Sequence, residues 1–376
     1  MTIDPFILQS DDVLPGRIGD QVKRMIERGG FRRGDPLPSY RELCGRYKVS
    51  LVTVKRAMDA LARDGIVHVQ PGKGVFVDKE LTPQARKLNQ IGVVFYCSRK
   101  LMFSSQYLVE IFQGVLQESE AIAADTRLFS VKSEGPLPPE EVETSGVDGV
   151  ILVGVTNEKY LRAFACQQMP VVAVDVWASG IPLEFVVADN GAAAQRMTEY
   201  LVKLGHRRIE YVDGWTTDTV QRNDPVVEGV DMQERRTGFI CTMASLGLSG
   251  AAIYRTACST PEAAILAAAD RIAGSCPRAT AVLAYDTTIA RKLIERFGAL
   301  GLSVPRDISV AAVAGAGDAL AGSMTLTYNR MRFFDMGAQA VQALNERCRQ
   351  SRLERRTEIR IGSDFVEGNT TAALSS

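Results

Sequence analysis

The 376-residue chain has no apolar run approaching the roughly 18 residues that a membrane-spanning helix needs. Its opening, MTIDPFILQSDDVLPG, has no basic stretch followed by an apolar one, so no export signal is expected and a cytoplasmic location is. The seven cysteines (Cys44, Cys97, Cys166, Cys241, Cys258, Cys276, Cys348) are scattered and odd in number and contain no C-x-x-C. This pattern argues against a disulfide or zinc framework and for small buried side chains in a reducing compartment. Only two histidines occur, His68 and His206, far apart and in no metal or triad motif. G-x-G-x-x-G, a phosphate loop and a G-x-S-x-G elbow are all missing, so neither an enzyme activity nor a cofactor is expected.

Net charge is also missing, with 44 basic and 44 acidic residues, but the balance is uneven along the chain. Residues 1–79 carry 14 basic and 10 acidic residues, and the remainder carries 30 and 34. From residue 17 to 79 the basic excess is seven. A basic module on an acidic body suggests a polyanionic partner for the first part alone.

Three helices are predicted before residue 66. The first runs from about Arg17 to Arg28, with Ile18, Val22, Met25 and Ile26 on one face, and ends at Gly29-Gly30. The second opens at Ser39 in SYRE, a capping box in which Ser39 and Glu42 each satisfy the other's amide. The third opens near Ser50 and places Val54, Ala57, Met58 and Leu61 on one apolar stripe. Lys48-Val49 alone separate the second and third, the short turn of a helix-turn-helix. With that stripe buried, Leu51, Val52, Lys55 and Arg56 project outward, as in a recognition helix. A solvated amphipathic helix has the same spacing. The hairpin that follows, IVHVQ and GVFV around PGKG, favours the first reading by adding a lysine on a tight turn.

The segment LPSYRELCGRYKVSLVTVKRAMDALARDGIVHVQPGKGVFV resembles the winged helix-turn-helix of GntR regulators over about residues 14–78. The resemblance implies DNA contacts from Arg41, Ser50, Thr53, Lys55, Gln70, Gly72 and Lys73. At position 51 that family usually has arginine, which binds guanine through two hydrogen bonds, whereas Leu51 offers only apolar contact, for instance to a thymine methyl.

Beyond LTPQARKLNQ (81–90), a polar stretch suited to a linker, the pattern changes. Apolar runs (IGVVFYC, GVDGVILVGV, VVAVDV, RRIEYVDG, TAVLAYD, ISVAAVAG) alternate with helical segments, as in α/β folds with parallel sheets covered on both faces. The segments LGHRRIEYVDG, ERRTGF and AVLAYDTTIARKLIERFGALGLSVPRDISVAAV resemble the effector domain of LacI/GalR regulators, over about residues 91–372. The implied domain is periplasmic-binding-protein-like, with two subdomains, a ligand cleft and crossovers near Ala188, Arg330 and Ile361. The whole is then a winged helix-turn-helix at 1–80, a linker at 81–90 and an effector and dimerisation domain at 91–376, an order resembling the arabinose-repressor type of chimera.

The resemblance maps effector contacts onto Tyr96, Asp175, Arg235, Asp286 and Phe333, with Phe103 and Trp177 as an aromatic wall. Arg235 matches an arginine that grips hydroxyls or a carboxylate. Two hydroxyl partners differ from the family pattern: Tyr285 stands where asparagine is usual, and Ala314 where aspartate is usual. This points to a ligand with fewer hydroxyls or more aromatic character, or to a reduced pocket. Phe103, Trp177 and Phe333 also suit a core, and Asp175 a loop cap. The function expected is a ligand-responsive transcriptional regulator, a repressor by type, acting as a homodimer on double-stranded operator DNA. A sugar-type binding protein without gene regulation, or a regulator with a vestigial pocket, is the alternative.

Overall fold

The computed structural model describes residues 13–27, 31–47, 49–79, 87–131, 136–167, 169–214, 229–248, 253–254, 261–315, 323–349 and 358–374. The first unit holds helices α1 (Val13–Glu27), α2 (Tyr40–Tyr47) and α3 (Leu51–Arg63), then strands β1 (Val67–Gln70) and β2 (Gly74–Val77). Helix α1 begins before the predicted Arg17, with Pro15 in the first turn, where no helical amide bond is required. The capping box forms: the Ser39 amide donates to Glu42 at 2.7 Å and the Glu42 amide to Ser39 Oγ at 3.3 Å. Ser50 caps α3 by accepting from the Thr53 amide at 3.2 Å. The predicted stripe of Val54, Ala57, Met58 and Leu61 is fully buried, against Ile18, Val22 and Ile26 of α1 and against Leu43. β1 and β2 form an antiparallel wing, with Gly72 in the left-handed region (φ 77°) at its turn.

Of the expected 81–90 linker, residues 81–86 lie outside the described residues, Leu88 is buried and Gln90 already opens a strand. The first α/β subdomain contains β3 (Gln90–Phe95), α4 (Arg99–Ser104), α5 (Gln106–Ala121), β4 (Asp125–Ser130), α6 (Pro139–Thr144), β5 (Gly149–Val153), α7 (Glu158–Ala165), β6 (Val171–Val174) and β7 (Glu184–Ala188). The chain then crosses to a second subdomain: α8 (Asn190–Lys203), β8 (Ile209–Val212), α9 (Val230–Ser245), β9 (Ile253–Tyr254), α10 (Pro261–Gly274), β10 (Ala281–Asp286), α11 (Thr287–Ala299), β11 (Ser309–Gly315) and β12 (Thr327–Met331). Helix α12 (Phe333–Arg349) and β13 (Glu358–Ile361) return to the first subdomain, and β14 (Ser363–Val366) ends in the second. The three crossovers fall at Ala188/Asn190, Met331/Phe333 and Ile361/Ser363, within three residues of those the sequence implied.

Among the described residues each subdomain's sheet has six strands, ordered β13-β7-β6-β5-β3-β4 and β14-β12-β11-β10-β8-β9. In these two sheets the described pairings are parallel except β12 with β14. Alternation sends successive residues to opposite faces. Ala281 and Leu283 of β10 pack towards α8 and α9, and Val282 and Ala284 pack towards α10 and α11. One apolar cluster runs from α5 and α12 through α8 and α9, joining the facing sides of both subdomains. Within it, a Cβ at Gly114 would strike the Phe334 carbonyl, and one at Gly337 would strike the Ile111 carbonyl, so α5 and α12 touch backbone to backbone.

The cysteine expectation needs correction. Cys97 and Cys348 are buried, but Cys166, Cys241 and Cys276 are exposed, and Cys258 lies outside the described residues. The exposed three sit on or beside helix ends and faces that the sheets do not cover, so no packing role accounts for them.

Candidate DNA-reading face and effector cleft

In the reader, Leu51 and Val52 are 58% and 61% exposed at the start of α3, and Lys55 and Arg56 are exposed one turn on. Arg41 on α2, Lys55 and Arg56 on α3, and Lys73 on the wing have no ion pair or side-chain hydrogen bond among the described residues. Other reader cations are engaged: Lys23 pairs with Asp64 at 3.1 Å, and Arg46 with Glu143 of α6 at 3.2 Å. Thr53 shares a 2.7 Å hydrogen bond with the Ser50 hydroxyl, and Gln70 meets His68 Nε2 at 3.0 Å. Gly72 leaves open space at the wing tip. The reader therefore offers free cations and two exposed aliphatic side chains on the elements that carry the predicted DNA contacts.

The second candidate site lies at the carboxyl ends of the parallel strands, between the two subdomains. Asp175 follows β6, half-buried and with a left-handed backbone (φ 58°), which non-glycine residues rarely adopt. Its amide donates to the Val186 carbonyl at 3.0 Å, and no hydrogen bond or ion pair to a described residue reaches its carboxylate. Burial pushes its pKa up to about 7, with a further rise from Asp231 of α9 across the cleft and an opposing pull from Arg235.

Arg235, on α9, is 7% exposed. Its Nε donates to Asn190 Oδ1 at 2.8 Å and a terminal nitrogen to the Tyr285 carbonyl at 3.2 Å. The guanidinium lies 4.3 Å from the centre of the Tyr285 ring. The Tyr285 hydroxyl donates to Asp231, and the ring lies where a Cβ at Gly214 would come within 2.9 Å. Tyr285 therefore fills the floor of the cleft. Asp286 caps α11 through the Ile289 amide at 2.8 Å, and burial raises its carboxyl above the usual range. Phe333, at the start of α12, packs on Tyr107 of α5 with ring centres 5.5 Å apart.

The structure thus brings together Asp175, Arg235, Tyr285, Asp286 and Phe333. Trp177 is 38% exposed, two residues beyond Asp175. Tyr96 does not join them. It is buried against Tyr160, ring centres 5.3 Å apart, in the core on the opposite face of the first sheet. Phe103 is 63% exposed on α4, and Ala314 is buried in the core. Sequence reasoning missed Tyr107, Asn190 and Asp231. Asp231 lies four residues before Arg235, one helical turn, which is the one signal that would have found it.

Known proteins resemble both units of the chain. Residues 14–77 match the bacterial regulatory protein gntR family, and residues 198–371 match a periplasmic binding protein-like domain. The chain accordingly combines a GntR-type DNA-binding domain with a periplasmic-binding-protein-like domain, the build of a DNA-binding transcriptional regulator. At full length it is 24% identical, over 95% of itself and 97% of the relative, to the arabinose metabolism transcriptional repressor of Geobacillus stearothermophilus. Its fold resembles a LacI transcriptional regulator from a Rhodococcus species (TM-score 0.61, 20% identity, 77% of this chain and 100% of that one). It also resembles the lac repressor dimer bound to operator and the anti-inducer ONPF (TM-score 0.60, 18% identity, 77% and 95%). No described helix is long and apolar enough to cross a membrane, and no described His/Cys/Asp/Glu group is arranged to hold a metal ion.

Proposed function

We propose that the protein is a cytoplasmic, homodimeric repressor whose operator affinity is set by a small molecule bound between the two subdomains. The reader spans residues 1–80 and the effector and dimerisation domain residues 91–376. The observation that carries this reading is the convergence on one cleft of Asp175 from the first subdomain and Asp231 and Arg235 from the second. Groups on both walls contact one ligand together only when the cleft is closed. Such a ligand prefers the closed state and shifts the population towards it. A dimer converts that change of angle into a change in spacing between two readers, which a twofold operator registers.

On the DNA, Arg41, Lys55 and Lys73 neutralise phosphates, Ser50, Thr53, Gln70 and the Gly72 backbone set the register, and Leu51 reads a base edge. In this reading the protein binds and releases its partners rather than catalysing a reaction. The reading is tested by titrating the full chain onto its own promoter duplex at several salt concentrations. Wild type should bind more weakly as salt rises, and Lys55→Ala should lower the slope of log K against log salt by about 0.9. An unchanged slope removes Lys55 from the phosphate contacts. The effector half fails if no small molecule alters operator affinity.

A further inference from the structure

The polar groups on the two walls of the cleft are in different states. On the second subdomain's side they are engaged with one another: the Tyr285 hydroxyl holds Asp231, and Arg235 holds Asn190 and the Tyr285 carbonyl with its guanidinium over the Tyr285 ring. On the first subdomain's side, Asp175 has no hydrogen bond or ion pair to its carboxylate from any described residue. Its backbone is held at φ 58°, a conformation that the surrounding structure must impose, and its carboxylate interacts across the cleft with Asp231 and Arg235.

Among the described residues, the charges that act on Asp175 are the Asp231 carboxylate and the Arg235 guanidinium, and Asp286 lies beside the same pair. The neighbouring surfaces are aromatic: Tyr107 against Phe333 and Tyr285 on the floor. An anion would meet the free Asp175 carboxylate, while the guanidinium is already bound on two of its nitrogens and on its face. A polyol would find the hydroxyl partners of the second wall already engaged. A cation gains from the free carboxylate and from the aromatic faces together.

We infer that this cleft takes an organic cation, an ammonium group on an aromatic or apolar body, with the Asp175 carboxylate as its anchor. The inference rests on the effector reading above and supplies its ligand class. It also explains closure: Asp175 and Asp231 belong to opposite subdomains and repel as these approach, and an ammonium between them removes the repulsion. Among the described residues, the groups facing Asp175 are Asp231 and Arg235 from α9 and Tyr107 from α5. The Tyr107 hydroxyl, held well above its usual pKa by burial and by both carboxylates, stays neutral. At its anchor the amine has the proton of Asp175 to displace.

The experiment uses the full chain and three probes of one shape: phenethylamine (cation), 2-phenylethanol (neutral) and phenylacetate (anion), with L-arabinose as a polyol. Each is measured by thermal shift and by release of the promoter duplex. Phenethylamine should stabilise the protein and change operator affinity, while the others do neither. Its affinity should rise about tenfold between pH 6 and 8, as a carboxyl titrating near 7 ionises. Asp175→Asn, whose own unfolding transition reports that it folds, should bind phenethylamine at least tenfold more weakly. If arabinose or the alcohol releases the operator and Asp175→Asn does not matter, the ligand class is wrong and the regulator reading stands. Preference for phenylacetate likewise overturns the inference. If phenethylamine does not bind and no probe alters operator affinity, the inference and the effector reading fall together.

Discussion

In the reader, Arg41, Lys55, Arg56 and Lys73 are exposed without ionic partners among the described residues; in the cleft, Arg235 is 7% exposed and bonded through two of its nitrogens. The first arrangement suits a polyanion, whose condensed counterions are released as each cation replaces them independently. The second suits a small ligand, because low local polarity strengthens each contact and couples it to its neighbours. Substitutions in the reader should therefore act separately and mainly on DNA. Substitutions in the cleft should act as a group and on stability as well.

The largest effect is expected from Arg235→Ala, which strips Asn190 Oδ1 and the Tyr285 carbonyl of their donor and leaves Asp231 without its nearby cation. The loss should be about 3 kcal/mol in denaturant unfolding. A loss under about 1 kcal/mol would show that the cleft groups are as independent as those of the reader.

Next comes pH. The folded carboxyl of Asp175 retains its proton up to about pH 7, whereas the unfolded chain releases it near the ordinary 3.8. Folded protein then binds more protons than unfolded over that window, so this group's contribution falls as pH rises from about 4 to 7 and is constant above. The slope approaches about 1.4 kcal/mol per pH unit at most. Asp175→Asn should flatten it and unfold at higher temperature than wild type at pH 8, since asparagine tolerates the left-handed backbone. Parallel curves for the two proteins would show that Asp175 is ionised throughout.

Smaller effects are expected in the reader. Leu51→Arg should move base preference towards guanine at one position per half-site, by about 1–3 kcal/mol. Selection of the same consensus by both proteins would remove this side chain from base reading. Ser50→Ala, which deletes the α3 cap, should cost the reader about 1 kcal/mol. Effector-domain unfolding that shifted equally would deny the two regions their independence.

The same contrast governs how much was legible in the sequence. The reader's signals are local: the Ser39–Glu42 box, the Ser50 cap and the buried stripe on α3 each lie within four to eight residues, and the structure forms all three. The cleft gathers residues 107 to 333, so only resemblance could place its members, and Tyr107, contributed by a helix start, carried no motif. Tyr96 shows the limit of position alone. It follows β3 directly, but the two-residue period that turns Phe95 and Cys97 towards α5 and α12 turns Tyr96 the other way. Strands β4, β12 and β13 escaped the reading because their exposed or polar residues, such as the Asp125–Ser130 run, break the apolar pattern.

The contact of α5 with α12 at Gly114 and Gly337 has a mechanical consequence. Where two backbones touch without side chains between them, neither helix can slide without driving a carbonyl into the other's main chain. Tyr107 and Phe333 sit at the starts of these two helices, so that wall of the cleft travels as one stiff spar. Bending is left to the three crossovers at Ala188, Met331 and Ile361, and a ligand acting on the spar applies torque to these pivots rather than reshaping a pocket.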